Sequence, residues 1–431
     1  MYTPSPVPQL PPELWEQVID HLWNDTPTLR ECSLTCRVFF TSSRYHLFYR
    51  IELCSQLACL CFRDALDSSS AAGTDIALYV KIINIVGLPL CRLGDQYDSG
   101  NALLLHDIIT RLPNVSELQL DNVDLDVHLP MDYLETGEEL QSFSHLFPLP
   151  DLKSLRLSSV MVHSIHDITR LIAAFPRLST LNIERALWWQ DNSDSPLAPT
   201  ELEDARGTLQ HLGHLSLFTV PSPIDLLRRI QRFPSLQATR QFGWTTYVAD
   251  EKRILLGLLR DSASSIRVLD LVTRYDCNIF ADLDASEYAN VQSLDLNLAA
   301  SSHDLDAFCP SLPPFLTQFD ATNLRELTLG FSLFRPTNMY WTFVDWAAMD
   351  AALVQLHARK PSLTVLIRIA FVPAAGLSDN VTADIAAPLV EYLPHTLRAQ
   401  TRVGVRCDLC DSMTGAVLRQ GSVRWLLSDG E

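Results

Sequence analysis

Apolar residues recur along most of the chain in one short phrase, apolar-x-x-apolar-x-apolar. It reads Val80-Ile83-Ile85, Val115-Leu118-Leu120, Leu152-Leu155-Leu157, Leu178-Leu181-Ile183 and Leu212-Leu215-Leu217. It continues as Ile266-Leu269-Leu271, Val291-Leu294-Leu296 and Leu324-Leu327-Leu329, with a degraded copy at Leu236 and another at Leu363-Val365-Leu366-Ile367. The last two apolar positions of each copy lie two residues apart, the period of a strand with one buried face. Several copies follow a proline, at Pro113, Pro150, Pro176 and Pro234. Between the copies the spacing turns helical. Leu105, Ile108, Ile109 and Leu112 fall at i, i+3, i+4 and i+7, as do Ile168, Leu171, Ile172 and Phe175. Ile254, Leu255, Leu258 and Leu259 form a third stripe, and Met349, Leu353 and Leu356 a fourth.

Each unit is thus a helix, a proline-marked turn and a short strand with two inward residues. One such unit cannot close a core, but stacked neighbours can. The array resembles a leucine-rich repeat, at a spacing of about 24 to 39 residues against the usual range of roughly 20–29. The asparagine common after the third leucine is mostly missing. A doubly wound α/β enzyme also alternates strands and helices. Here, however, the strand signature itself repeats, and no glycine-rich strand-to-helix turn appears. The expected class is α/β: an irregular repeat solenoid over 75–405, a curved parallel sheet with outer helices, ending in a cap or tail at 406–431.

If the leucines point inward, the residues between them line the opposite, concave face. That row reads Glu117, Gln119 and Asp121; Ser154, Arg156 and Ser158; Thr180, Asn182 and Glu184; His214, Ser216 and Phe218; Asp270; Ser293, Asp295 and Asn297; Glu326 and Thr328. Acid predominates and Arg156 is the single arginine, which favours a basic or hydrogen-bonding protein target over a phosphate. Arg156, Asn182, Glu184, His214, Phe218, Asp270, Asp295, Asn297 and Glu326 are the candidate target-binding residues. Two aromatic loops are expected beside this face. Residues 186–201 carry Trp188 and Trp189; residues 331–346 carry Phe331, Phe334, Tyr340, Trp341, Phe343 and Trp346.

The first fifty residues follow another pattern. After Leu10-Pro11-Pro12, Leu14, Val18 and Leu22 recur at four-residue spacing with Trp15 and Ile19 beside them, an amphipathic helix with proline in its first turn. Thr28 with Glu31 three residues later suggests a capping box opening a second helix, with Leu29, Cys32, Cys36 and Phe39 or Phe40 along one face. A third run holds Tyr45, Leu47 and Phe48. Leu10-Pro11-x-Glu13-Leu14, Val18, Leu22, Leu29, Cys36-Arg37 and Leu47-Phe48, in that order, resemble the F-box motif. The run from Leu29 to Arg50 is similar to the F-boxes of mushroom-forming fungi. Phe39 and Phe48 stand where the family usually has tryptophan, and Thr35 where an apolar residue is common. The resemblance implies a three-helix domain over 10–53, a disordered stretch before it and a connector at 54–74. It further implies docking onto a Skp-type adaptor of a cullin–RING ubiquitin ligase through Leu10, Pro11, Leu14, Val18, Leu22, Leu29, Cys36 and Phe39.

Composition narrows the remaining possibilities. The 431 residues carry a formal charge of −18, from 51 acidic against 33 basic side chains, and show no basic stripe. Nucleic acid and anionic membrane are therefore not expected as partners. Ten scattered cysteines, a start without a signal-peptide pattern and no apolar run long enough to span a bilayer fit a reducing cytoplasmic or nuclear setting. There is no Walker-type loop, no G-x-S-x-G elbow and no H-E-x-x-H helix. Cys407-x-x-Cys410 is a lone pair; His163-x-x-His166 and His211-x-x-His214 are isolated. Neither metal, cofactor nor catalytic site is expected. The expected function is non-enzymatic: a substrate-recognition subunit of an SCF-type ubiquitin ligase that recruits a protein target. A non-degradative scaffold built on the same repeats is the alternative.

Overall fold

The N-terminal pattern folds as three helices, α1 (Pro12–His21), α2 (Thr26–Thr35) and α3 (Arg37–Tyr49). Ile19 and Leu29, each 1% exposed, lock them together. Trp15 meets Phe39 edge-on at 5.1 Å, and His46 Nε2 lies 2.7 Å from Asp20 Oδ1. The expected cap shifts by one turn. Asp25, not Thr28, closes the start of α2: the Thr28 backbone N–H donates to Asp25 Oδ1 at 3.2 Å and its hydroxyl to Asp25 Oδ2 at 2.7 Å. Asp25 stands directly before the first helical residue, where a side-chain acceptor reaches the free N–H groups.

The structure is a computed structural model and describes residues 11–35, 37–88, 99–125, 143–190, 212–218, 226, 239–246, 249–274, 279–299, 310–319, 322–333, 344–371, 389–398, 402–410, 417–419 and 423–426. The chain divides into two units, Met1–Leu209 and Gln210–Glu431. In the first, α3 runs directly into β1 (Arg50–Leu53), and α4 (Gln56–Ala71) occupies the expected connector. Residues 50–53 thus belong to the sheet and not to the helical domain. The rest of the unit comprises β2 (Ile82–Val86), α5 (Ser99–Thr110), β3 (Glu117–Asp121), α6 (Phe143–Leu146), β4 (Ser154–Ser158), β5 (Met161–Ser164), α7 (Ile165–Ala173), β6 (Thr180–Glu184) and β7 (Leu187–Gln190).

Its sheet runs β1-β2-β3-β4-β6, every pair parallel and in register, so Ile83, Leu118, Leu155 and Leu181 stack in one row. Ile85, Leu120, Leu157 and Ile183 form the next row, and all eight side chains are fully buried. Burial of a side chain of this size stabilises by about 1.5–3 kcal/mol, so these rows and the helical stripes over them hold the stack. After each of these four strands the chain turns through a left-handed residue: Gly87 (φ 60°), Asn122 (φ 53°), Ser159 (φ 52°) and Arg185 (φ 57°). Their N–H groups form a second ladder. Gly87 donates to Asp121 O, Asn122 to Ser158 O and Ser159 to Glu184 O, each at 2.8 Å. Beyond the turn a narrow parallel ribbon follows, in which β5 pairs with β7 and Asp124 bridges to Met161. Trp188 therefore sits on a strand opposite Val162, and not in a loop.

The second unit comprises β8 (His214–Phe218), β9 (Gln241–Thr246), α8 (Ala249–Ser262), β10 (Val268–Arg274), β11 (Ser293–Ala299), α9 (Leu312–Gln318), β12 (Glu326–Leu333), α10 (Trp346–Arg359), β13 (Thr364–Phe371), α11 (Pro394–Arg398), β14 (Arg402–Cys410), β15 (Val417–Arg419) and β16 (Arg424–Leu426). Strands β8 to β14 pair in chain order, all parallel; β15 and β16 close on β14 antiparallel. The degraded copy was expected at Leu236, which lies outside the described residues. Its strand is β9, where Phe242 and Trp244 stand in register with Leu215 and Leu217 and are fully buried. Two aromatic rings fill the volume that leucines fill elsewhere. Asparagine has a structural part, but ahead of the strand. The side-chain amides of Asn114, Asn290 and Asn323, each one residue before the first apolar position, donate to Leu78 O, Ser264 O and Ala289 O of the preceding repeat at 2.9, 2.7 and 3.3 Å.

Candidate protein-binding faces

Helix α1 is amphipathic, yet its stripe is only partly covered. Ile19 points into the bundle, whereas Leu14 and Val18, one helical turn apart, stay 43% and 46% exposed. Trp23 in the following turn is 66% exposed and Leu34 near the end of α2 is 82% exposed, a large apolar surface for so small a bundle. The eight docking residues implied by the motif thus separate. Pro11, Leu14 and Val18 are exposed, Leu22 and Phe39 are half-buried, and Leu10 and Cys36 lie outside the described residues. Leu29 is a correction. At 1% exposure it is core, and its role is to hold α2 against its neighbours. The Thr35 hydroxyl donates to Glu31 O at 2.8 Å, so this polar departure from the motif is satisfied within its own helix. Trp23 and Leu34 escaped sequence reading because the first lies in a turn and the second off the apolar stripe.

On the sheets, the residues between the buried rows face away from the core, as the two-residue period requires. In the first unit several of these groups pair with one another, although Asn182 Oδ1 is buried without a hydrogen-bond partner. Arg50 Nη2 donates to Gln119 Oε1 at 2.9 Å and Asn84 Nδ2 to Glu52 Oε2 at 3.3 Å. Glu184 is shared by Arg156 at 3.8 Å and Arg185 at 3.3 Å.

The face of the second unit is different in kind. His214, half-buried, has its pKa lowered by burial, and its Nε2 lies 3.4 Å from Ser216 Oγ. Beyond β9, Asp270 and Asp295 stand directly opposite each other on neighbouring strands. Asp270 Oδ1 and Asp295 Oδ1 are both shut off from solvent without a hydrogen-bond partner. Arg368 Nη1 reaches Asp295 Oδ2 at 3.6 Å. Burial, reinforced by the charge of Asp295, pushes Asp270 up to about 7 against the pull of Arg368. Burial also raises Asp295, opposed by Arg368 and Arg406.

Register carries the second unit's face further than the sequence suggested. Arg368 pairs with Arg406 and Thr364 with Arg402, so β13 and β14 add three arginines to a row expected to hold one. These strands lack the full leucine phrase, and their polar positions went unassigned. Asn297, Phe218 and Glu326 fall on this face; the Asn297 side chain lies over Gly330, where an added Cβ would come within 2.9 Å of Asn297 Cγ. The second aromatic loop resolves into packing: Phe331 is buried on β12, 5.8 Å from Trp346, which stacks on Tyr392 at 5.9 Å. Phe334, Tyr340, Trp341 and Phe343 lie outside the described residues.

Among the described residues no group of three or more His, Cys, Asp or Glu side chains could hold a metal ion, and no helix is long and apolar enough to cross a membrane. The Cys59 thiol is pushed up to about 11, first by burial and then by Cys54, so it is a packing group and not a nucleophile.

No protein-family model matches the chain, and no curated protein matches it in sequence. Among solved structures, the complex of Rad7 and Elc1 in yeast aligns over 99% of this chain and 99% of that one, with 13% sequence identity and a TM-score of 0.39.

Proposed function

We propose that the three-helix segment docks onto a Skp-type adaptor and that the sheet faces select a protein target, making the chain a substrate-recognition subunit of an SCF-type ubiquitin ligase. The observation that carries this reading is the bare apolar stripe of α1. Leu14 and Val18 are exposed although Ile19 on the same helix and Leu29 on the next are fully committed to the bundle. A surface helix with no partner normally turns such residues inward, and exposing two of them one turn apart costs about 1.5–3 kcal/mol for each one left uncovered. Docking on an adaptor recovers that cost. The mechanism is one of proximity. One module holds the ligase while the other holds the target, which raises the effective concentration of the target near the ubiquitin donor and requires no bond chemistry by this chain.

Co-purification of the full chain with a Skp-type adaptor tests the reading. Leu14→Asp with Val18→Asp should weaken capture by more than tenfold while circular dichroism stays unchanged and thermal unfolding shifts only modestly, because nearly half of each side chain is already exposed. Leu29→Asp, in contrast, should unfold the helices. Failure of the wild-type chain to bind any Skp-type adaptor would sink the proposal. Adaptor binding without cullin recruitment would move it to the non-degradative scaffold.

A further inference from the structure

We propose that Asp270 and Asp295 share a single proton, and that this pair is a proton-operated charge switch on the sheet face of the second unit. The geometry makes sharing the cheaper state. Strands β10 and β11 are parallel and in register at this pair, and neighbouring strands run about 4.8 Å apart. Two carboxylates that close cannot both ionise without strong mutual repulsion, and one proton between them turns repulsion into a hydrogen bond. The occluded oxygens point the same way. Asp270 Oδ1 and Asp295 Oδ1 are occluded and have no donor among the described side chains, and a shared proton supplies a donor from within the pair.

The charged groups around the pair fix which way it switches. Packed against β10, strand β9 brings only Gln241 and Gly243 to this face among its described side chains, and β8 beyond it brings His214, kept neutral by burial. On the other side β12 brings Glu326, and β13 and β14 bring Arg368, Arg402 and Arg406. Arg368 reaches Asp295 at 3.6 Å and its charge also bears on Asp270, while Arg406 bears on Asp295, so the cations favour ionising Asp295 first and leave the proton on the Asp270 side. Burial holds Asp270 up to about 7, which puts loss of the shared proton within reach of ordinary intracellular variation. Loss of that proton adds one negative charge to this face. This inference rests on the strand register, the occluded carboxylate oxygens and the burial of the pair, and does not depend on what the face binds.

The test is a titration of the full-length chain with 13C-labelled aspartate carboxyls. Two aspartate signals should move together in one step near neutrality, well above the ordinary carboxylate range of about 3.9. Asp295→Asn should lower the step of Asp270 by about one pH unit or more, since it removes the second charge and frees Arg368. Asp270→Asn should leave Asp295 to titrate alone, below the wild-type step, raised by its burial and held down by Arg368 and Arg406. The proposal is overturned if every aspartate of the wild-type chain titrates below about pH 5.5, an outcome that needs no variant to fold. It is equally overturned if a neutral step of full amplitude survives in both single variants.

Discussion

At the scale of single residues, a left-handed turn ends each of four strands of the first unit, β2, β3, β4 and β6. Four different residues, Gly87, Asn122, Ser159 and Arg185, take the same positive φ. Glycine does so without penalty and asparagine with little, whereas an ordinary side chain loses about 1–2 kcal/mol there. The ladder of N–H groups that these residues contribute explains why the strain is tolerated. Gly87→Ala should destabilise the chain by about 1 kcal/mol although no atom lies near enough to clash seriously. Ser159→Gly should be neutral to stabilising by up to about 1 kcal/mol, and the pair of urea-unfolding midpoints checks both. Equal loss from both substitutions would mean that the conformation is not what limits these positions. Sequence reading missed the series because its members share a backbone angle and no side-chain chemistry.

At the scale of elements, the ends of the helices carry more than their length suggests. Asp350 on α10 is 2% exposed and accepts from the backbone N–H groups of His395 and Thr396, at 3.0 and 2.7 Å, and from the Thr396 hydroxyl. These are donors at the start of α11, which its own residues leave unsatisfied, so one side chain fixes the angle between two helices. Asp350→Ala leaves the Thr396 N–H buried without its acceptor and removes that of the His395 N–H, while the Thr396 hydroxyl keeps the Asp350 backbone oxygen, and should cost about 1–3 kcal/mol, with hydrogen exchange accelerating first in α11. Asp350→Asn keeps one acceptor and should recover part of the loss. The asparagines that reach back to the preceding repeat act on the same scale. Asn290→Ala removes one such bond, at 2.7 Å, and should cost about 1 kcal/mol.

At the scale of the whole molecule, the N-terminal helices and the first strand are one continuous piece. Helix α3 passes into β1 without a linker, and the Lys81 N–H donates to Tyr49 O at 2.9 Å, so the helices are held in fixed geometry to the first sheet. The pH response of stability belongs to this scale too. Asp270 binds its proton more tightly folded than unfolded, so its contribution is fully present below about pH 3.8 and is lost as pH rises through about 7. Asp270→Asn should therefore stabilise the chain at pH 8, on the order of 1–2 kcal/mol after solvent screening, and flatten the profile between about pH 5 and 8. An unchanged profile would separate this aspartate from the pH response. The sequence by itself determined the repeating unit, the direction of its strands and the N-terminal helices, because those follow from burial of residues near one another in the chain. It could not determine β9, where aromatic residues replace leucines, or the arginines of β13 and β14. It also could not place Leu29 in the core while Leu14 and Val18 stay outside. Above all, Asp270 and Asp295 lie 25 positions apart along the chain and become neighbours only through strand register. Pairing across repeats is decided by how whole units stack, which no local spacing encodes.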